Sequence, residues 1–178
     1  MNQSNVEAAS EETMLLRMNV NGKRHEVRIE LQETLSDVLR NRLRLTGTKL
    51  SCDVQVCGAC TVLVDGMPVS SCTYLAYEAR DREVLTIEGL TPPGQPLHPV
   101  QQAFIEENAF QCAFCTPGMI LAAKALLDQR PDATREEIVD HMEGNLCRCT
   151  GYKPIVAAIQ RAQREMSRAG NDSSAGAR

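Results

Sequence analysis

Cysteine placement constrains this chain more than any other feature: all eight cysteines fall into two sets of four. The first is Cys52, Cys57, Cys60 and Cys72, spaced C-x4-C-x2-C-x11-C. The second is Cys112, Cys115, Cys147 and Cys149, spaced C-x2-C-x31-C-x1-C. Four converging thiolates are what an iron–sulfur or zinc centre needs, because both favour soft sulfur donors. The first spacing is the plant-type [2Fe–2S] pattern. Its run from Cys52 to Cys60 can wrap a compact core with successive amides turned inward, and Gly58 and Ala59 are small enough for close approach. In the second set each pair is too close in sequence to supply more than one side of a site, so the pairs must meet through the fold.

Two other uses of such cysteines compete. An even count can mark a disulfide framework. Against that, residues 1–13 are polar with no apolar core of a secretory signal, and 178 residues can bury a core without staples. Zinc is the second competitor, since C-x2-C pairs are common structural zinc ligands. A C-x4-C-x2-C run is an unusual zinc knuckle, and two such sets on one short chain point instead to an electron relay.

Formal charge is −4 with a pI near 5.4, which argues against a nucleic-acid partner. No apolar run approaches the ~20 residues needed to span a bilayer, so no transmembrane segment is expected. Cysteine usage without a signal leads us to expect a reducing, cytoplasmic location. No G-x-G-x-x-G or P-loop is present, and no nucleophile–base constellation stands out, so no catalytic residue is assigned to the chain.

The expected fold class is α+β: an N-terminal β-grasp (plant-type ferredoxin-like) domain over residues 13–90, then a C-terminal four-helix bundle over 98–166. Residues 91–97, rich in proline, form the expected linker, and 1–12 and 167–178 the expected disordered tails. In the first domain, strands over 14–20 and 23–31 flank an Asn21-Gly22 turn. Thr34 caps a helix with Leu35, Val38, Leu39 and Leu43 on one stripe. A short strand over 61–64, an Asp65-Gly66 turn and a last strand over 84–87 follow. In the second domain the expected helices run over 100–110, from a Thr116-Pro117 start, from a Thr134/Glu137 capping box, and along Ile155, Ile159, Ala162 and Met166. Cys112 and Cys115 then lie between the first and second of these helices, and Cys147 and Cys149 between the third and fourth.

Three longer segments carry a family resemblance. Gly47-Thr48-Lys49 with Cys57-Gly58-Ala59-Cys60-Thr61-Val62 resembles the first-cluster signature of the xanthine oxidase (molybdenum hydroxylase) family. The segment from Gln111 to Gly118 is similar to its second-cluster signature, and that from Gly144 to Tyr152 to the segment completing that cluster. The resemblance covers about residues 14–166. It implies a small iron–sulfur subunit with two [2Fe–2S] clusters, one on Cys52, Cys57, Cys60 and Cys72 and one on Cys112, Cys115, Cys147 and Cys149. It further implies a large molybdenum–pterin subunit and a medium FAD subunit as partners, in a heterotrimer or a dimer of heterotrimers. Electrons would pass singly from molybdenum through the helical-domain cluster, then the β-grasp cluster, to FAD. Gln111 and Cys149 match family residues that border the pterin. A freestanding two-cluster carrier and a zinc scaffold are the alternatives.

The chain departs from the family pattern at Ser51, Gln55 and Ala113, where glycine is common. Ser51 and Gln55 are tolerable if their backbone avoids φ > 0, whereas Ala113 adds a methyl beside the implied pterin contact. Other prominent residues read as ordinary. His25, His98 and His141 lack ligand spacing, Phe104, Phe110 and Phe114 read as core, Glu136 and Glu137 suit a helix start, and 161–168 reads as a solvated helix face. Arg148 is left between a cluster donor and an interface ion pair.

Overall fold

The structure is a computed structural model and describes residues 13–175, with side chains to residue 168. The tail expected at 1–12, and residues 176–178 of the one expected at 167–178, lie outside the described residues. Two type-selecting turns set the sheet: Asn21 and Gly22 (φ 55° and 72°) join β1 (Thr13–Val20) to β2 (Lys23–Glu30). Asp65 and Gly66 (φ 49° and 80°) join β3 (Thr61–Val64) to β4 (Met67–Ser70). Both pairs occupy the left-handed region that a two-residue hairpin demands. With β5 (Glu83–Leu85) they form one mixed sheet in the order β2-β1-β5-β3-β4, in which only β1 and β5 run parallel.

The last strand is shorter than the expected 84–87. Its parallel ladder with β1 ends at Val20↔Val84, where β1 turns into its hairpin. Beyond it Thr86 is held by the Asn21 side chain, and residues Ile87–Gly89 curl into a 3-10 turn. The Thr34 cap is present, its hydroxyl accepting from the Asp37 amide. The helix it opens, α1 (Leu35–Asp37), widens at once into a π-helical turn over Val38–Arg42.

Four further helices follow: α2 (Pro99–Glu106), α3 (Thr116–Gln129), α4 (Arg135–Met142) and α5 (Lys153–Ala175). The first stops short of residue 110 because Asn108 enters the left-handed region (φ 50°). The last runs through Ala175, past the end expected at 166, so most of the expected 167–178 tail has helical backbone. Helix α3 starts at Thr116 itself, with Cys115 in the capping position and the Thr116 hydroxyl buried without a protein partner, instead of Thr116 acting as the cap.

Two apolar cores result. One lies between the sheet and α1 and contains Leu16, Met18, Val62 and Val64. The other lies among the four helices, where α2 packs on α3 and α5, and α4 on the same two. Strand β3 belongs to both, because Val62 and Val64 face the first core while Leu63 joins the second. All four of its residues are buried, the continuous apolar run expected of a strand covered on both faces. Helix α3 is the element that covers it. Arg161, expected on a solvated face, instead pairs with Glu106 and Glu107 at the end of α2 and with Glu165.

Candidate metal centres

The first thiol set is built by a loop, a strand end and a turn. Cys60 immediately precedes β3, and Cys72 follows β4 across the hairpin. Buried Ser71 fastens the two, its hydroxyl donating to the Cys60 carbonyl at 2.7 Å. The α1 N-terminus holds the same turn, with the Ser36 amide donating to Ser71 O at 3.0 Å. Between Cys52 and Cys57 the backbone enters the left-handed region at Asp53 and again at Gln55 (φ 58° at each). Such alternation turns successive amides to one side, as in an anion-binding nest. The amides of Val56 and Cys57 both donate to Cys52 Sγ at 3.4 Å. These bonds, with that of Val54 the strongest, lower the Cys52 thiol to about 6, favouring the thiolate. Burial raises Cys60 to about 11.

Gln55 therefore departs from what its type predicts. It sits where glycine is at ease, with its side chain accepting from the Thr73 hydroxyl at 2.9 Å. Ser51 avoids the positive-φ region, as expected of a tolerated substitution. Ala113 occupies it (φ 61°), so its methyl adds backbone strain as well as bulk.

The second set sits between helices. Cys112 and Cys115 precede α3, while Cys147 and Cys149 lie between α4 and α5. The Cys149 thiol donates to Cys112 Sγ at 3.6 Å. Cys147 receives the Thr150 hydroxyl at 3.2 Å and the Thr150 amide at 3.4 Å. Burial pushes the Cys147 thiol up, but these donors outweigh it and the net shift is down. Burial, then the Cys147 thiol, push Cys115 up to about 12. Tyr152 orients the loop, its phenol oxygen accepting from the Cys147 amide at 2.9 Å. Nothing in the spacing of residues pointed to Tyr152 as a partner of this amide.

All eight thiols are free, and they approach each other in pairs: Cys52 with Cys57, Cys60 with Cys72, Cys112 with Cys149, and Cys115 with Cys147. Pairs suit a [2Fe–2S] centre, whose two irons each take two protein ligands. A zinc ion would instead draw four donors to one point. The donor set fits two-iron centres in chemistry and arrangement.

The two sets are neighbours. A cavity of about 280 Å³ is lined by Cys57 and Ala59 of the first loop and by all four cysteines of the second set. The Leu146 amide, next to Cys147, donates to the carbonyl of Cys57 at 2.9 Å. Phe114 and Phe110, expected in the core, are exposed, and Phe114 lines this cavity, because the loop before α3 lies outside the helical core that buries Phe104. Gln111 is exposed and donates to the Cys149 carbonyl at 3.0 Å. Arg148 is exposed at the same cavity. Of the histidines, His98 caps α2 through Nδ1, and His141 Nε2 meets the Ala122 carbonyl at 3.0 Å.

A sheet carrying one cysteine loop and a helical unit carrying the other define a two-domain iron–sulfur protein. Residues 18–86 match the 2Fe-2S iron-sulfur cluster binding domain, and residues 86–160 the [2Fe-2S] binding domain. The chain is 47% identical over 142 residues to the nicotine 6-hydroxylase small subunit of Paenarthrobacter nicotinovorans, covering 80% of this chain and 85% of that one. It is 48% identical over 147 residues to the nicotinate dehydrogenase small FeS subunit of Eubacterium barkeri, covering 83% and 93%. A chain of the quinoline 2-oxidoreductase crystal structure from Pseudomonas putida 86 superposes with a TM-score of 0.83 at 42% identity, covering 89% of this chain and 98% of that one. The chain belongs to the small iron–sulfur subunits of the xanthine oxidase family. It is the electron-transfer component of a multi-subunit oxidoreductase, with two [2Fe–2S] binding domains. No helix among the described residues is long and apolar enough to cross a membrane.

Proposed function

We propose that Cys52, Cys57, Cys60 and Cys72 hold one [2Fe–2S] centre and that Cys112, Cys115, Cys147 and Cys149 hold the other. In this reading the chain stands between a molybdenum–pterin centre on a large partner subunit and FAD on a medium one, in a heterotrimer or a dimer of heterotrimers. The helical-domain site lies nearer molybdenum and the sheet-domain site nearer FAD. A bound centre supplies one-electron redox chemistry, which the protein alone lacks. The sheet with α1 is read as a β-grasp domain over 13–90, and the helices as a four-helix bundle over 98–166 joined through 91–97. Eight free thiols suit a reducing, cytoplasmic location.

One observation carries the relay: a single hydrogen bond, Leu146 N–H to Cys57 C=O at 2.9 Å, joins the backbone of one thiol set to that of the other. The chain's residues have complementary tasks around it. The nest amides at Cys52 and the Thr150 hydroxyl at Cys147 offset negative charge on sulfur. Ser71 and Tyr152 hold the thiol-bearing backbone in place. Gln111 and Cys149, exposed and bonded to each other, form the surface offered to the pterin-bearing partner. Choice of substrate then belongs to that partner.

The test is iron, sulfide and zinc analysis of the anaerobically purified complex, with EPR after dithionite reduction. Four irons, four sulfides and two S = 1/2 signals per chain are expected of two [2Fe–2S] centres. Zinc in place of iron, with no reduced signal, refutes the relay.

A further inference from the structure

Asn145 is a buried polar residue whose amide reaches across the molecule. Its Nδ2 donates to the Gly58 carbonyl at 2.9 Å and to Thr61 Oγ1 at 3.3 Å. Next to it, the Leu146 amide holds the carbonyl of Cys57. Two consecutive carbonyls of the first thiol loop are thus gripped by two consecutive residues of the second. The Gly58 carbonyl already accepts from the Thr61 amide at 3.1 Å and the Thr61 hydroxyl at 2.7 Å. Asn145 is therefore not needed to satisfy that oxygen. What it adds is a tie between segments that no other side-chain hydrogen bond among the described residues makes between these two loops. The fit is close as well: Gly58 has φ 65°, and a Cβ there would collide with the Gly144 carbonyl and the Asn145 amide.

We propose that Asn145 is a positioning residue whose carboxamide clamps the Cys57–Gly58 backbone to the Leu146–Cys147 backbone and so fixes the spacing between the two thiol sets. The proposal rests on the reading that each set holds a [2Fe–2S] centre. A lost clamp lets the two loops move apart while each keeps its own four thiols, because Ser71, the nest amides, Thr150 and Tyr152 act within one set only. Removing a buried hydrogen bond also leaves the neighbouring Leu146-to-Cys57 bond to hold alone.

The test uses the complex containing the full chain, purified anaerobically, in wild-type form and with Asn145→Ala or Asn145→Asp. The second variant keeps the shape and removes the donor. Iron content, the magnetic interaction between the two reduced EPR signals, and hydrogen exchange of the Leu146 amide are read together. Both variants are expected to keep their iron, lose the interaction between signals, and exchange the Leu146 amide about tenfold faster. An unchanged interaction and unchanged exchange overturn the proposal, even if the melting temperature falls, since that outcome makes the amide a stability contact only. Should these variants lose iron, Asn145→Ser, which retains a shorter donor, is judged on the same two readouts. A wild-type complex with iron for only one centre removes the underlying reading, and the proposal with it.

Discussion

At the scale of single residues, each thiol set depends on donors that sequence types alone do not single out. Ser71 is fully buried and links Cys60 to the turn bearing Cys72. Ser71→Ala is expected to cost about 0.5–1.5 kcal/mol, the net worth of one hydrogen bond, because the Ser71 amide still donates to the Cys60 carbonyl at 3.4 Å. Denaturant unfolding would give that value, and the EPR signal of the first centre should weaken while the second is kept. Thr150 acts on potential as well, and its hydroxyl also accepts from the Tyr152 amide at 3.2 Å. Hydrogen bonds to ligand sulfur favour the more negative, reduced state, so Thr150→Val should lower the midpoint potential of the second centre alone, and Thr150→Ser should restore it. An EPR-monitored redox titration reads both. The cysteine sets themselves were legible from spacing. Gln55 was not, because residue type favours φ < 0 there and only the folded nest shows why φ is 58°.

Among elements, most helix starts were legible and the helix ends were not. Thr134 and Glu137 form the expected capping box on α4, and Thr134→Ala should destabilise the protein by about 1 kcal/mol in denaturant unfolding. On α2 the cap is a histidine, whose neutral Nδ1 accepts from the Val100 amide at 3.2 Å. Burial, then the Lys124 charge, lower its pKa, with Asp128 opposing. A folded-state value below the unfolded one means this stabilisation is complete above the unfolded pKa of about 6.5 and is lost as pH falls through it towards the folded value. Comparing melting temperature against pH for wild type and His98→Asn should show a steeper acid-side decline in the wild type, since asparagine caps without titrating. The ends of α2 and β5 escaped the sequence because tertiary partners decide them: Asn108 takes φ 50°, and Asn21 binds Thr86.

For the molecule as a whole, the decisive feature is that β3 and α3 bring the two cysteine sets to one junction. Gly118 near the start of α3 presses on the Gly58 carbonyl, while Gly58 itself lies against Gly144. Gly58→Ala must accept a left-handed alanine and a collision with backbone. We expect a loss exceeding the ~1–2 kcal/mol of the left-handed position alone, read as a lowered melting temperature of the complex. Gly66→Ala, which has open space around it, should show only the conformational cost.

By itself the sequence determined the two thiol sets, the hairpin turns and most helix starts. Each depends on residues close together in the chain: cysteine spacing, Asn-Gly and Asp-Gly pairs, and caps three residues from their partners. Only the tertiary structure decided how the thiols pair, that Asn145 reaches Gly58 across 87 positions, and that Arg161 closes α5 onto α2. Those contacts join residues far apart in the chain, and no local pattern encodes a distance that only the packing of separate elements sets.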